Sequence, residues 1–213
     1  AALRADLATL RRAYETLHPG LYRYLTREEV AARFDAVDRY FGSDRTVAEA
    51  FLALTRLTAA IRCGHSYPNF FNQSKAIGQA LFEGQDKLPV AFRWLDHRMV
   101  VTADHAPDAD LPRGTEIVTI NGVPTRTILD SLLPLARADG GNDAKRVAYL
   151  EVQGQERYQP FDVLYPLVFP VQGPRFTLTI RRPGTTATRR ATVAALTAVE
   201  RRAQGGAVAE PAD

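Results

Sequence analysis

Apolar residues recur at spacings of four and three along the N-terminal part of the chain, and at spacings of two over much of the rest. Leu3, Leu7, Leu10, Tyr14 and Leu17 lie on one face of a helix that Pro19-Gly20 stops near His18. Thr26-Arg27-Glu28-Glu29 has the form of a capping box, and Val30, Phe34, Val37 and Phe41 follow as a buried stripe. Thr46-Val47-Ala48-Glu49 repeats that start signal for a third helix, with Phe51, Leu54 and Ile61 on one face. This helix runs into Arg62-Cys63-Gly64-His65-Ser66-Tyr67-Pro68, where Gly64 is expected to take positive φ at the C′ position as the structural cap. Three helices joined by short connections predict a small bundle.

Near Pro68 the period changes. Residues 69–86 are irregular and read as a linker or loop, with a short helical piece around Lys75 to Phe82. Leu88 to Trp94 and Arg98 to Ala103 read as strands paired around Asp96-His97. Thr115 to Ile120 is a strand ending in the hairpin signal Asn121-Gly122. Ile128, Leu129, Leu132, Leu133 and Leu135 follow on a helix closed by Gly140-Gly141, and Asn142 is placed to cap another. Phe176 to Arg182 and Arg190 to Leu196 form a last hairpin about Pro183-Gly184. Pro160, Pro166, Pro170 and Pro174 break the apolar stretch from Arg157 to Pro174, which is expected to be extended and partly docked. The pattern predicts an α+β fold: a helical bundle over 1–68, a linker over 69–86, a mixed α/β domain over 87–196 and a flexible tail over 197–213.

At 213 residues the chain can bury one large core or two small ones, and its 46% apolar and 24% charged content is that of an ordinary globular protein. No apolar run reaches the length of a membrane span. The net charge of +3 comes mostly from scattered arginines interleaved with acids, without a basic cluster carrying aromatics, so nucleic acid is not an expected partner. The single cysteine, Cys63, excludes an internal disulfide and a cysteine-based zinc site.

The chemistry concentrates at Gly64-His65-Ser66-Tyr67. His65 leaves the helix just past its last carbonyls, with a hydroxyl beside it at Ser66, and an imidazole so placed can accept a proton in catalysis. The alternative is a histidine that merely caps the helix. The nucleophile elbow of the α/β-hydrolases needs a strand before its serine and a glycine two residues after it; here a helix precedes and Pro68 holds the glycine's place. His18, His65, His97 and His105 have no chelating spacing, and Cys63 with His65 alone is half a metal site. Asp104, Asp108 and Asp110 lack the calcium-loop pattern, and no phosphate loop is present, so neither a metal nor a cofactor is expected.

Three segments resemble the N-terminal part of the C-terminal processing (tail-specific) serine peptidases, including their tricorn-core and interphotoreceptor-retinoid-binding relatives. Leu17-His18-Pro19-Gly20-Leu21-Tyr22 closes the first helix. Leu57 to Ser66 ends in Gly64-His65-Ser66, where the family commonly has Asp-Gly-His-Thr, with Cys63 in place of the aspartate. Leu111 to Pro124, through Gly114-Thr115-Glu116-Ile117-Val118-Thr119-Ile120-Asn121-Gly122, is similar to a segment of the family's PDZ-like module. The resemblance covers roughly Leu3 to Leu196.

It implies that residues 87–196 are a PDZ-like domain and that the family's catalytic α/β domain, which bears the nucleophilic serine, is absent from this chain. In the tricorn-like branch a histidine at the position of His65 is the general base; in the other branch a lysine of the catalytic domain does that work. Ser66 and Tyr67 would line the site. The implied partners are a peptide or protein substrate and the catalytic domain in cis, the implied setting is periplasmic or secreted, and the chain alone is expected to be inactive. Leu88-Pro89-Val90-Ala91-Phe92 departs from the pattern, lacking a glycine-rich turn for a peptide carboxylate. Two other functions stay open: a non-catalytic module binding peptides or partners, and an apolar-ligand carrier, for which Phe161 to Phe169 is the motivating stretch.

Overall fold

The computed structural model describes residues 2–106, 110–154 and 156–204. They pack as two compact units, one of Ala1–Asn69 with Pro134–Arg146, the other of Phe70–Leu133 with Val147–Asp213.

The first unit is helical. Helices α1 (Ala2–Leu17), α2 (Arg27–Tyr40) and α3 (Val47–Ala60) enclose Leu7, Leu21, Leu25, Val30, Phe34, Phe41, Leu57 and Ile61. Both capping boxes form: Thr26 and Thr46 accept from the backbone N–H of Glu29 and Glu49, whose carboxylates take the cap N–H at 2.8 Å in each case. Two of the first-turn donors of each helix are thereby satisfied. Segment Pro134–Arg146 belongs to this unit although it lies far down the chain.

The second unit is built on a six-stranded sheet paired antiparallel throughout. Its strands are β1 (Val90–Leu95), β2 (Arg98–Asp104), β3 (Glu116–Ile120), β4 (Val123–Pro124), β5 (Arg175–Arg181) and β6 (Thr188–Ala194), in the order β1-β2-β3-β5-β6 with β4 paired to β3. Asp96 and His97, both at positive φ, turn β1 into β2, and Asn121-Gly122 turns β3 into β4. Asn121 also ties β3 to β5, donating its N–H to Thr177 O at 2.7 Å and accepting from Thr177 N at 2.9 Å.

Helix α4 (Lys75–Leu81) follows a short 3₁₀ turn, and Phe70 and Phe82 stack edge to face beneath it, both buried. Residues 69–86, expected to be a linker, are therefore folded into this unit from Phe70 onward. Helix α5 (Thr125–Leu132) buries Ile128, Leu129 and Leu132. The next, α6 (Asp143–Tyr149), is capped by Asn142, whose Oδ1 accepts from Lys145 N at 2.9 Å.

Two stretches depart from expectation. Pro160 to Val168, expected to be extended, is helix α7. Pro160 stands in the first turn, where its missing N–H has no helical partner to lose. Pro166 forfeits one bond inside the helix, a cost outweighed by burial of Phe161, Val163, Leu164 and Tyr165. Phe161 packs edge to face on Phe92 at 4.9 Å and stacks on Tyr165, so the first half of the apolar run that motivated a ligand carrier is core, while Pro166 to Phe169 are half-buried.

The expected tail forms helix α8 over Ala198–Gln204; the rest of it, 205–213, lies outside the described residues. Thr197 and Glu200 make a third reciprocal cap on α8. Arg201 is buried against Asp162: Nη1 donates to Asp162 Oδ1 at 2.9 Å and to Leu88 O at 3.1 Å, and Nη2 also pairs with the carboxylate. An arginine in a tail expected to be flexible is thus the anchor of that helix.

Of the loop acids considered for calcium, Asp104 spends its carboxylate on the N–H groups of Ala106 and Leu111, both at 2.8 Å, and Asp110 pairs with Arg182. Asp108 lies outside the described residues.

Candidate functional site

The site lies in the helical unit, where α3 ends. Ile61 is the last near-helical residue, and Arg62 takes the left-handed conformation with φ of 59°. Gly64 does not have positive φ, so the expectation that it is the C′ cap is corrected: Arg62 makes the turn. Glycine is required at 64 for a different reason. Its N–H donates to Asp139 Oδ1 at 2.7 Å and its carbonyl accepts from Arg137 Nη1 at 2.8 Å. A Cβ there would stand 2.9 Å from Asp139 Oδ2 and 3.1 Å from Oδ1, so only a bare backbone lets the carboxylate come so close.

The groups that grip the His65 loop come from Pro134–Arg146. Gly140 N donates to Arg62 O at 2.9 Å, and Gly140 itself has φ of 59°. A Cβ on Gly140 would meet the Tyr24 hydroxyl at 2.9 Å. The Arg137 guanidinium lies 3.5 Å from the centre of the Tyr67 ring, close cation–π geometry. Arg137 thus fastens the loop on both sides of His65, by the Gly64 carbonyl and by the Tyr67 face.

His65 is exposed at the tip of this loop, and Asp139 is exposed beside it. Donor atoms of Cys63, His65 and Asp139 all lie within 4.8 Å of one another. The Gly64 N–H, first, and then Lys145, whose Nζ donates to Oδ2 at 3.3 Å, hold the Asp139 carboxyl below the ordinary carboxylate range; the nearby His65 adds to this. A carboxylate so held stays ionised at neutral pH.

Ser66 faces the other way. It is buried and shares a hydrogen bond with Tyr14, whose phenol burial pushes up in pKa while that bond pulls it down. Tyr14 in turn stacks on His18 at 5.5 Å. His18, Pro19, Gly20, Leu21, Tyr22 and Tyr24 line a cleft of about 650 Å³ together with Arg62, Cys63 and Asp139. The two N-terminal segments singled out in the sequence therefore meet across one cleft.

Asp139 and Arg137 were not among the residues expected here. The signal that could have found them is weak: a charged pair just before Gly140-Gly141, some 75 positions along the chain from Gly64. The other serines are Ser43, Ser74 and Ser131. Ser74 caps α4 by accepting from Ile77 N, and Ser131 donates to Thr127 O on its own helix.

No protein-family model matches this sequence, and no curated protein does. Among solved structures it is similar to mature CPAF complexed with lactacystin (13% identity, TM-score 0.55), to mature CPAF (14%, 0.54) and to a serine-to-alanine mutant of CPAF (16%, 0.55). CPAF is a chlamydial serine protease with a tail-specific-protease-like fold. Each match covers 90% of this chain, which spans only about a third of the CPAF chain, 33% or 34%. At such identity the likeness is one of fold.

Proposed function

We propose that this chain is the helical and PDZ-like portion of a serine peptidase of the C-terminal processing type, acting on a peptide or protein in a periplasmic or secreted setting. In this reading His65 is the general base for a nucleophilic serine carried on a further domain, and Asp139 is the carboxylate beside the imidazole. The observation that carries it is the juxtaposition of an exposed His65 with Asp139 on a loop fastened by backbone hydrogen bonds. An imidazole presented outward beside an ionised carboxylate is what a base needs when the serine comes from elsewhere. The fold likeness to CPAF supports the same reading.

Three of the chain's four serines are poor nucleophiles for His65: Ser66 is turned inward to Tyr14, and Ser74 and Ser131 bond within their helices. The chain alone should therefore resist labelling by a fluorophosphonate. Recognition of a peptide carboxylate at the opening of β1 is not part of the proposal. There the Lys87 N–H already donates to Leu196 O at 2.8 Å, Arg201 occupies the Leu88 carbonyl, and Pro89 has no N–H.

The deciding experiment is His65→Ala in a protein that joins this chain to its nucleophile domain. Turnover should fall about a hundredfold or more, the scale of a missing acid–base group, while the melting temperature stays near that of the parent. Asp139→Asn should lower turnover less and keep substrate affinity. A His65→Ala enzyme with near-parental turnover would hand the role of base to a lysine of the other domain and leave His65 a structural residue.

A further inference from the structure

We infer that Cys63, His65 and Asp139 form a binding site for a thiophilic divalent cation, zinc being the best match. The spacing of Cys63 and His65 supplied half a site in the sequence; the fold brings the third donor from the far end of the unit's chain, and the argument from a lone cysteine against a zinc site no longer holds. Thiolate, imidazole and carboxylate donors lie within 4.8 Å of one another. Around a tetrahedral zinc such atoms stand about 3.3–3.6 Å apart, from bond lengths near 2.3 Å to sulfur and near 2.0–2.2 Å to nitrogen and oxygen. The remaining contraction is roughly an ångström, within reach of side-chain rotation, since His65 and Asp139 are both exposed.

The surroundings suit the donors. Asp139 is oriented by the Gly64 N–H and by Lys145, the kind of outer hydrogen bonding that fixes a ligating carboxylate. Gly64 keeps the backbone between Cys63 and His65 free of a side chain that would push the carboxylate away. Cys63 and Asp139 both line the cleft of about 650 Å³, which leaves room for a water as fourth ligand. One sulfur, one nitrogen and one oxygen donor select against calcium and magnesium, which want oxygen alone, and against copper(I), which wants sulfur.

The inference stands on these three donors and not on the catalytic reading: a bound cation would take up the His65 and Asp139 atoms that the base role needs, so the two states exclude one another, and the test involves no turnover. The whole chain, reduced and metal-free, is titrated with cobalt(II) as the spectroscopic stand-in for zinc. One equivalent should raise a thiolate-to-cobalt charge-transfer band and the visible bands of a tetrahedral site, and zinc should abolish both. Cys63→Ser should remove the charge-transfer band, and His65→Ala and Asp139→Asn should each weaken zinc at least about tenfold in competition with a chromophoric chelator. His97→Asn, in a turn of the other unit, should leave all of this unchanged. Far-ultraviolet circular dichroism checks that each variant is folded. Cobalt spectra without a thiolate band, or zinc held as tightly after loss of His65 or Asp139, would overturn the site.

Discussion

At the scale of single residues, Gly64 is defined by the carboxylate that approaches it: its N–H donates to Asp139 Oδ1 at 2.7 Å, and a Cβ would stand 2.9 Å from Oδ2. A glycine soon after a helix reads as the left-handed cap, but Arg62 takes that conformation and Gly64 instead admits a carboxylate. Local sequence records that glycine is permissive; it does not record what approaches it. The partner, Asp139, is invisible to any periodicity because nothing near it in sequence hints at His65. Gly64→Ala should thus act through Asp139. The new methyl displaces the carboxylate, breaks the bond from the Gly64 N–H, and costs about 1 kcal/mol of stability. In the parent the Gly64 amide should exchange slowly and respond to Asp139→Asn; in Gly64→Ala that response should vanish. A fully retained Asp139 dependence in the alanine variant would show that the methyl is accommodated without moving the carboxylate.

Among elements, legibility followed how local the determinants are. The helices α2 and α3 were readable because Thr26, Glu29, Thr46 and Glu49 satisfy backbone donors within their own first turns. The β3–β4 turn was readable from Asn121-Gly122 alone. Helices α7 and α8 were not, since proline content argued against one and composition against the other. A bond ties the two together, from Arg201 of α8 to Asp162 of α7. Arg201 and Asp162 are 2% and 3% exposed, so neither charge has water to fall back on. Arg201→Met should leave Asp162 buried and unpaired and cost about 3–5 kcal/mol, while Arg201→Met with Asp162→Leu should recover most of that. Chemical denaturation of the two variants and the parent measures it; equal losses in single and double variants would mean that α8 is held by packing and not by the charge pair.

On the scale of the whole molecule, the sequence set boundaries near Pro68, at residue 86 and at Leu196, whereas the structure divides the chain at Asn69, again at Leu133 and again after Arg146. A change of period marks only the first of these, because Pro134–Arg146 carries too few apolar residues to announce which core it joins. A chain ending at Leu133 should keep α1 to α3 but lose the grip on the His65 loop, so its helical unit should melt at a lower temperature and its Gly64 amide should exchange freely. An unchanged melting temperature would mean that residues 134–146 are dispensable to the unit. The interrupted helical unit also carries a consequence for biosynthesis. With synthesis running at roughly 5–20 residues per second, the ribosome takes about 4–15 s to travel from Asn69 to Arg146. During that interval the three helices have left the tunnel, or are leaving it, with the loop bearing His65 still unfastened. Any activity borne by that loop is thereby withheld from the nascent chain until the segment ending at Arg146 has been made.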